Sequence, residues 1–523
     1  LINYRGHRSI NCYFIFMNEN KTQKMNKISR PPVVVILGHI DHGKTTLLDY
    51  IRSSHVAAKE SGSITQHIGA YEAEHNGKRI TFLDTPGHES FSRMRMRGAR
   101  VADIAVLVVA ADDSVKPQTV EAIRAAREAE TPLLAAINKM DKPAADANRV
   151  KGDLAEHGVL VEGWGGTIPV AEISARTGAG ISELLDLILL AAEMEELTAA
   201  PDAPGSGIVI ESNRDRRRGV EATLLITDGT VRKGDCLVSG QLCGMVRAME
   251  DSYGTSVAEA TFSSPIRVLG FSEPPLVGDA FLAYADKKAG EAACLQARNL
   301  FTDNHTASKI ADSAHTEKEL ISIPLVIKTD VAGSREALEE EIEKLNVPPL
   351  RIHVLRNDIG DISEDDIKAV ASSPGALVVG FRVKVALSAA AVAERYGIVI
   401  HTADIIYELL DWLREEFAKR IPVEKKRVEE GTLKVLKIFK QEGKKRILGG
   451  VVSTGVVRVG ALFEVTRARS AVGAGIIINV QQRKVDAKEV RAGQECGLAA
   501  EVEGKLEEGD ILVMYSEKDI ERK

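Results

Sequence analysis

Residues 31–46, PPVVVILGHIDHGKTT, constrain the fold of this chain more than any other stretch. The apolar run 33–37 predicts a buried strand, and Gly38 begins a segment that matches G-x-x-x-x-G-K-[ST] at every fixed position. That pattern predicts a loop whose backbone N–H groups and lysine surround phosphate oxygens. A helix that begins near Lys44 would point its positive end at the same anion. The stretch therefore predicts a strand, a phosphate-binding loop and a helix.

A second strand end carries side chains suited to the same ligand. The apolar run 80–84 ends in Asp84, and Thr-Pro-Gly87-His88 follows directly. An aspartate at the carboxyl end of a strand beside a phosphate loop holds Mg²⁺, usually through water. Gly87 can place its N–H against a terminal phosphate, and His88 can orient an attacking water.

Two further strand ends carry groups that suit a purine base. The fourth predicted strand ends in Asn138-Lys-Met-Asp141, and the fifth ends at Ser174-Ala-Arg176. A carboxylate such as Asp141 can accept hydrogen bonds from N1 and N2 of guanine, whereas adenine lacks that donor pair. Sites of this kind discriminate by roughly 10⁴ or more. Four motifs in this order, each at a strand end, predict a P-loop GTPase domain with ligands at the carboxyl edge of a mostly parallel sheet.

Composition limits the remaining possibilities. A chain of 523 residues is too long for one core, and its 44% hydrophobic and 27% charged residues are typical of a soluble globular protein. The net charge of −7 means that any contact with RNA must come from local basic patches. The five cysteines include no CxxC pair, which argues against a zinc site or a disulfide framework and fits a reducing cytoplasm. No apolar run reaches the roughly 18 residues that cross a bilayer, so we expect no membrane partner.

Shifts in composition and apolar spacing divide the chain into successive segments. They are a disordered or non-native leader (1–30), the P-loop GTPase domain (31–200), an antiparallel β-barrel (201–285), a linker that can contain a helix (286–320), a small α/β domain with a parallel sheet (321–402), a connecting helix (403–422) and a second, C-terminal β-barrel (423–523). The predicted fold class is therefore multidomain α/β plus β. The acidic residues of the α/β domain are predicted to lie on solvated helix faces, with no catalytic constellation among them.

Two basic segments each leave two interpretations open. Residues 213–219 (NRDRRRG) can contact RNA phosphates or form a solvated hairpin tip. Between residues 432 and 469 nine basic side chains accompany two acidic ones, which is either a phosphate-binding surface or a solvated barrel face.

The motifs GHIDHGKT, GSITQHIGAY, DTPGHESF, NKMD and SAR together resemble those of the translational GTPases. ITQHIGAY with DTPGHESF resembles bacterial translation initiation factor two most of all. The resemblance covers about residues 31–520 and suggests a short form without the N-terminal extension of larger members. One departure lies in the first switch, where Gly62-Ser63 replaces the two glycines usual in the family.

The resemblance implies GTP/GDP and Mg²⁺ as ligands and assigns roles at the first site. Lys44 would contact the β- and γ-phosphates, Thr45 and Thr65 would ligate Mg²⁺, and Asp84 would hold it through water. His88 would be the catalytic residue that positions the hydrolytic water. The implied nucleotide-binding residues are Gly38, Asp41, His42, Gly43, Lys44, Thr45, Thr46, Asp84, Gly87, Asn138, Lys139, Asp141, Ser174, Ala175 and Arg176.

The resemblance also implies partners. They are the small and large ribosomal subunits and formylmethionyl initiator tRNA, with the factor a monomer off the ribosome. Glu495, Cys496 and Gly497 match the element of the last barrel that binds the tRNA acceptor end. Gly450 and the triplet 481–483 depart from the family pattern at that pocket.

Three alternatives remain open from the residues. The first is an elongation or specialised tRNA-delivery factor, which would lack an α/β third domain followed by another barrel. The second is the GTPase subunit of a sulfate-activating enzyme, which needs no long tail. The third is a GTP-binding scaffold without useful hydrolysis, against which Thr65, Asp84 and His88 argue.

Overall fold

The computed structural model describes residues 26–52, 68–305, 321–347, 350–420, 425–467, 470–483 and 485–519. The chain divides into two compact units, one up to Ala418 and one from Lys419. The predictions for Thr65, for Gly62-Ser63 and for residues 1–25 lie outside the described residues.

The first domain is built on a six-stranded sheet. From one edge to the other its strands are Gly69–His75, Lys78–Asp84, Val33–Gly38, Ile104–Ala110, Leu133–Asn138 and Val170–Glu172. The first two strands are antiparallel and all other neighbours are parallel. The helices around the sheet are Lys44–Arg52, Ser92–Val101, Pro117–Glu128, Ala147–Glu156 and Ile181–Met194. Parallel order brings the carboxyl ends of the strands to one edge, where all the predicted nucleotide motifs begin.

The two central strands form because they can be buried on both faces. Every residue of Val33–Gly38 and of Ile104–Ala110 is buried. Continuous runs of β-branched residues are typical of central parallel strands with helices on both sides. The end of the predicted leader also belongs to this domain, because Ile28–Ser29 pairs with Thr198–Ala199.

The second domain is a closed barrel of six antiparallel strands. In order around the barrel they are Gly219–Asp228, Pro265–Phe271, Leu242–Glu250, Cys236–Ser239, Ala280–Tyr284 and Ser206–Asp215, with a ribbon formed by Thr230–Arg232 and Glu259–Thr261. The basic segment 213–219 is the tip of the first hairpin. Two of its arginines are in ion pairs, Arg216 with Asp361 and Arg218 with Glu250. The helix Lys287–His305 follows the barrel.

The third domain has the predicted parallel sheet. Its strands, in order across the sheet, are Leu350–Ile359, Ile321–Thr329, Leu377–Phe381 and Val399–Ala403. Its helices are Ala332–Leu345, Glu364–Val370 and Leu387–Tyr396. The connecting helix is Ile406–Arg420, and its apolar face is buried at Leu409, Leu413 and Phe417.

The prediction that the acidic residues of the third domain are solvated is wrong for several of them. Asp366 is 2% exposed and makes ion pairs with Lys328 and Arg356. Glu336 and Glu340 form ion pairs with arginines of the first domain. The prediction failed because residue spacing along a helix reveals neither the cations that a neighbouring strand brings to it nor another domain that covers it.

The second unit is a barrel with its own core. Its main strands are Lys425–Glu442, Ile511–Asp519, Leu462–Arg467, Ser470–Gln482, Glu495–Glu503 and Lys445–Arg458, and pairing of the last with the first closes the ring. Short strands at Val485–Asp486 and Glu489–Arg491 flank it. Leu433, Phe463, Val480 and Leu512 are fully buried in its interior. The predicted fold class is confirmed. Among the described residues of the whole chain, no helix combines the length and apolarity needed to cross a bilayer.

Candidate nucleotide-binding site

The phosphate loop, residues 38–45, requires glycine at two positions. Gly38 has φ +144°, and a Cβ there would collide with the carbonyl oxygen of Val108. Gly43 has φ +86°, and a Cβ there would collide with the side-chain amide of Asn138. Both conformations lie in the region that L side chains rarely adopt. Asp41 also has a positive φ, +63°. The loop is therefore held in its cradle shape by neighbouring strand ends.

Lys44 is the buried cation of the loop. Its side chain is 6% exposed, and Nζ donates hydrogen bonds to the carbonyl oxygens of Gly38 at 3.0 Å and His39 at 2.7 Å. Burial lowers the pKa of Lys44 to about 8, and the nearby Asp84 carboxylate opposes that shift. A Cβ at Gly87 would collide with Nζ. The ammonium group thus lies between the phosphate loop and the predicted γ-phosphate sensor.

The predicted metal ligands occupy neighbouring positions. Asp84 is the last residue of its strand and is 3% exposed. Thr45 is the second residue of the helix that follows the loop and is half-buried, whereas Thr46 is exposed. Asp84 lies near Lys44 and so reaches the loop from the adjacent strand. Two oxygen donors of the predicted three are therefore placed by the described structure.

Asn138 joins three of the predicted motifs. It is 1% exposed, and its amide donates a hydrogen bond to the His42 carbonyl oxygen at 2.9 Å. Its carbonyl oxygen accepts one from the Ala175 N–H at 2.9 Å. One side chain therefore fixes the phosphate loop and the segment 174–176 relative to each other.

Asp141 is held by the other base-recognition segment. Its carboxylate accepts a hydrogen bond from the Ser174 hydroxyl at 2.6 Å and forms an ion pair with Arg176. These contacts, the Ser174 bond first, lower the pKa of Asp141, which keeps it ionised. Lys139 has φ +65°, a left-handed conformation that turns the chain sharply between Asn138 and Asp141. Each carboxylate oxygen therefore has one protein partner and keeps a second lone pair that can accept from a ligand.

His88, the predicted catalytic residue, is buried. Its ring is 1% exposed, and Nδ1 accepts a hydrogen bond from the Ser90 N–H at 2.9 Å. The ring centroid lies 3.7 Å from that of Tyr407 on the connecting helix and 5.8 Å from that of Phe91. Burial lowers the pKa of His88 to about 4. The imidazole is therefore neutral at pH 7.

The helix that follows His88 is bound to the third domain by ion pairs. Arg97 Nη2 lies 2.6 Å from Glu336 Oε2, and Arg93 Nε lies 3.2 Å from Glu340 Oε2. Between them Arg95, almost fully buried, donates to the carbonyl oxygens of Pro86 and His88. The segment that contains His88 is thus fixed from both sides.

Sequence reasoning missed two residues at this site. The side chain of Gln118 accepts a hydrogen bond from the backbone N–H of Ile40, inside the phosphate loop, at 3.1 Å. Tyr407 covers His88 from another domain. The position of Gln118 at the start of a helix after a central strand was the available signal for it. No local sequence pattern indicated that Tyr407 would lie at this site.

The residues predicted to bind tRNA lie together on adjoining strands of the second unit. Glu495 is exposed, whereas Cys496 is 6% exposed within the barrel core, and burial raises its thiol pKa to about 11. Gly450 is the register partner of Cys496, and Gln481 is the partner of Gly497. Gly450 and Gln481, which depart from the family pattern, thus lie beside Cys496 and Gly497, which match it.

The basic face of the second barrel is partly neutralised. Lys444 pairs with Glu503, Arg458 with Glu489 and Arg467 with Asp510. Lys434, Lys437 and Lys445 remain exposed. The net basic surface is therefore smaller than the composition of residues 432–469 predicted.

Fold and site together define a P-loop nucleotide-binding protein of the translational GTPase class. Residues 30–194 match the family described as "Elongation factor Tu GTP binding domain", residues 204–284 match "Elongation factor G domain 2", and residues 298–414 match "Translation-initiation factor 2". The chain belongs to the translation initiation factor IF-2 family, which confirms the resemblance seen in its motifs.

Individual relatives match along almost the whole chain. Translation initiation factor IF-2 of Rubrobacter xylanophilus is 43% identical over 501 residues, 95% of this chain and 72% of the relative. That of Pelotomaculum thermopropionicum is 41% identical over 514 residues, 97% of this chain and 53% of the relative. This chain thus spans about half the length of the second relative. The crystal structure of GDP-bound aIF5B from Aeropyrum pernix is 28% identical, covers 93% of this chain and 92% of its own, and has a TM-score of 0.47.

Proposed function

We propose that this protein is a GTP-hydrolysing translation initiation factor of the cytoplasm. It would help to bind formylmethionyl initiator tRNA to the small ribosomal subunit and promote joining of the large subunit. The observation that supports nucleotide binding is the convergence on Asn138 of the phosphate loop and the segment 174–176, which would be the phosphate and base subsites of a guanine nucleotide. The role in initiation is supported by membership of the IF-2 family.

The described residues fit the predicted ligands. Glycine at positions 38 and 43 allows the positive φ values of the loop, a conformation in which backbone N–H groups can surround a phosphate. Thr45, Asp84 and Thr65 are the residues we propose to hold Mg²⁺, which would neutralise charge on the β- and γ-phosphate oxygens. Asp141, kept ionised by its neighbours, would accept the two guanine donors.

His88 would act by orienting water through its second ring nitrogen. Because Nδ1 accepts the Ser90 N–H, the neutral ring carries its proton on Nε2, which can donate a hydrogen bond to the oxygen of the attacking water. Its ring is covered by Tyr407 in this structure, so the segment 84–91 must rearrange before His88 can contact the substrate. We infer slow turnover by the factor alone and stimulation by the ribosome, which would complete the site.

GTP hydrolysis measured with and without ribosomes tests the proposal. We expect slow turnover for the factor alone and a large increase with both subunits together. If ribosomes do not change the rate of GTP hydrolysis, the protein would instead be a GTPase of another system, such as sulfate activation. A protein stimulated only by ribosomes already engaged in elongation would be an elongation or tRNA-delivery factor.

The tRNA role is tested on the second unit alone, because residues 419–523 are compact and have their own core. Its binding to formylmethionyl initiator tRNA is compared with the unformylated form and with an elongator tRNA at two salt concentrations. Formyl-dependent binding would support the role of Glu495, Cys496 and Gly497. Salt-sensitive binding with the same affinity for the formylated and unformylated tRNA would contradict that role. Such binding would be explained by phosphate contacts of exposed lysines alone.

A further inference from the structure

Three metal-ligating side chains meet beside the phosphate loop, outside the set assigned to Mg²⁺. His39, His42 and Asp113 each offer one ligand atom, and these atoms lie within 4.8 Å of one another. We propose that this group, the His39–His42–Asp113 cluster, binds a transition-metal dication such as Zn²⁺ through two imidazole nitrogens and one carboxylate oxygen. The proposal goes beyond the proposed function and does not depend on it.

The strongest observation is a buried imidazole whose polar contacts are weak. His42 is 0% exposed, and within the described structure neither ring nitrogen makes a hydrogen bond of ordinary geometry, although the Val108 backbone and the Asp113 carboxylate lie close to the ring. The buried Nδ1 of His39 also lacks one. Buried polar atoms are almost always satisfied, and leaving one without a partner is costly. A metal ion between the two rings and Asp113 would satisfy these atoms.

The positions of the atoms suit a tetrahedral ion. His42 Nε2 lies 3.6 Å from Asp113 Oδ2, and the rings of His39 and His42 have centroids 4.9 Å apart. Bonds of about 2.0 Å to zinc place two tetrahedral ligand atoms about 3.3 Å apart. The ligand atoms of His42 and Asp113 are close to that separation, whereas His39 needs a small shift. The fourth position would hold water.

Asp113 is already oriented for this role. Its Oδ1 forms an ion pair with Lys116 Nζ at 2.8 Å, which leaves Oδ2 directed at His42. An outer partner that fixes a ligating carboxylate is a regular feature of metal sites. Burial also lowers the pKa of His42 to about 4, so metal need not displace a proton from it at pH 7.

The donor set distinguishes this cluster from the proposed Mg²⁺ site. Mg²⁺ selects oxygen ligands, whereas two imidazoles with a carboxylate favour zinc, cobalt or nickel. The ammonium of Lys44 is close enough to lower the pKa of both histidines, and the same positive field would weaken the cation's binding. Because His39 and His42 are part of the phosphate loop, an ion here would restrain the loop that binds the nucleotide.

The test is a titration of the full chain with Zn²⁺ alone in competition with a chromophoric chelator, repeated with Co²⁺ to read the visible absorption of the bound ion. We expect one site, with tetrahedral Co²⁺ bands. His39→Gln and Asp113→Asn should each weaken binding by about 10-fold or more, since each removes a ligand. We choose these two variants because Asp113 is exposed and His39 is only partly buried, so their replacement should not disturb the fold. His42→Gln would instead alter a fully buried residue.

Two variants serve as controls. His75→Gln removes a different histidine that lies 2.8 Å from an aspartate, Asp186, and should leave the affinity unchanged. Cys243→Ser tests the cysteines of the second domain, because Cys243 lies beside Cys236 and Cys294. Affinity that is unchanged in His39→Gln and Asp113→Asn would overturn the proposal. Binding that disappears only in Cys243→Ser would also overturn it and assign the metal to the thiols.

Discussion

The imidazole of His88 lies against the phenol ring of Tyr407, with the ring centroids 3.7 Å apart. The two residues come from different domains, His88 from the end of a motif at the sheet edge and Tyr407 from the connecting helix. His88 is 1% exposed in this arrangement. The side chain proposed to orient water is therefore covered by another part of the same chain.

Replacing Tyr407 should uncover His88. An aromatic contact of this kind is worth about 0.5–1.5 kcal/mol, so Tyr407→Ala should raise unstimulated GTP hydrolysis by roughly 2- to 10-fold. The pKa of His88 should also rise from about 4 towards its ordinary value, because burial is the main cause of its lowering. The measurements are single-turnover hydrolysis without ribosomes and NMR titration of labelled histidine. Tyr407→Phe keeps the ring and should behave as the parent; equal acceleration in both variants would contradict the covering role.

Removing the imidazole should separate catalysis from binding. His88→Ala is expected to lower ribosome-stimulated hydrolysis by about 10²–10³, the usual loss when one positioning group is removed. GTP affinity should change little, because Lys44, Asn138 and Asp141, the residues proposed to bind the nucleotide, are held by contacts that do not involve this ring. His157→Ala, at an exposed histidine of the same domain, is the control. Stimulated turnover near that of the parent would exclude His88 from the reaction.

Base selection should depend on the Asp141 carboxylate. Asp141→Asn replaces one acceptor oxygen with a donor amide, so it should weaken GTP binding by roughly 10² or more and favour xanthosine triphosphate. Competition binding of the two nucleotides to the full chain measures the exchange. Ser174→Ala removes the hydroxyl that holds the carboxylate and should weaken both nucleotides slightly without changing the preference. If Asp141→Asn still prefers GTP to xanthosine triphosphate, Asp141 does not select guanine.

The buried His88 predicts that the first unit loses stability in acid. Its pKa is about 4 when folded, against an ordinary 6.5, because burial disfavours the imidazolium. Between these values the unfolded chain binds more protons, so the free energy of unfolding falls as pH decreases from 6.5 to 4. The contribution of His88 is about 3 kcal/mol and is absent above pH 6.5. His42, whose pKa is also lowered to about 4 by burial, adds a contribution of the same sign. Urea unfolding of the first unit at several pH values measures the sum, and His88→Gln should reduce the slope by roughly half while His157→Gln does not change it.

The ion pair between Arg97 and Glu336 should couple the first and third domains. Both side chains are largely buried, 16% and 19% exposed. A double-mutant cycle with Arg97→Gln and Glu336→Gln should give a coupling energy of about 1–2 kcal/mol in the unfolding of the first unit. The more exposed pair of Arg93 and Glu340 is the internal comparison and should give under about 0.5 kcal/mol. Equal coupling in both pairs would contradict the dependence on burial.

Much of the fold was predictable because it rests on local apolar runs. The apolar run 104–110 predicts a strand, and the strand Ile104–Ala110 has those bounds, since every residue in it is apolar and buried. The apolar run 168–173 predicts a fifth strand, which in the structure is only Val170–Glu172, because Ile168 instead bridges to Val161. The helical spacing of Ile405 with Leu409 and Phe417 indicates that Ile405 is buried in the connecting helix, whereas the buried residue is Ile406. Periodicity identifies an element, but contacts decide its limits and its buried face.

In the candidate site, too, local motifs were predictable from the sequence and contacts between distant segments were not. The positions of the phosphate loop and of Asn138 with Asp141 at the sheet edge were predictable because each motif directly follows an apolar strand. Their roles toward a nucleotide stay predictions. The contacts of Tyr407 with His88 and of Gln118 with Ile40 were not predictable, since they join segments whose approach depends on packing. The cysteines illustrate this too. They look scattered in the sequence, yet Cys243 lies beside both Cys236 and Cys294.

The contacts between the helix after His88 and the third domain have a consequence for engineering. Arg93 and Arg97 meet Glu340 and Glu336, so a third domain grafted from another protein would bring different residues to these positions. Such a chimera would lose the ion pairs that hold the helix after His88 against the third domain. A change of third domain should therefore be made together with its GTPase domain, which lies with it in the unit that ends at Ala418.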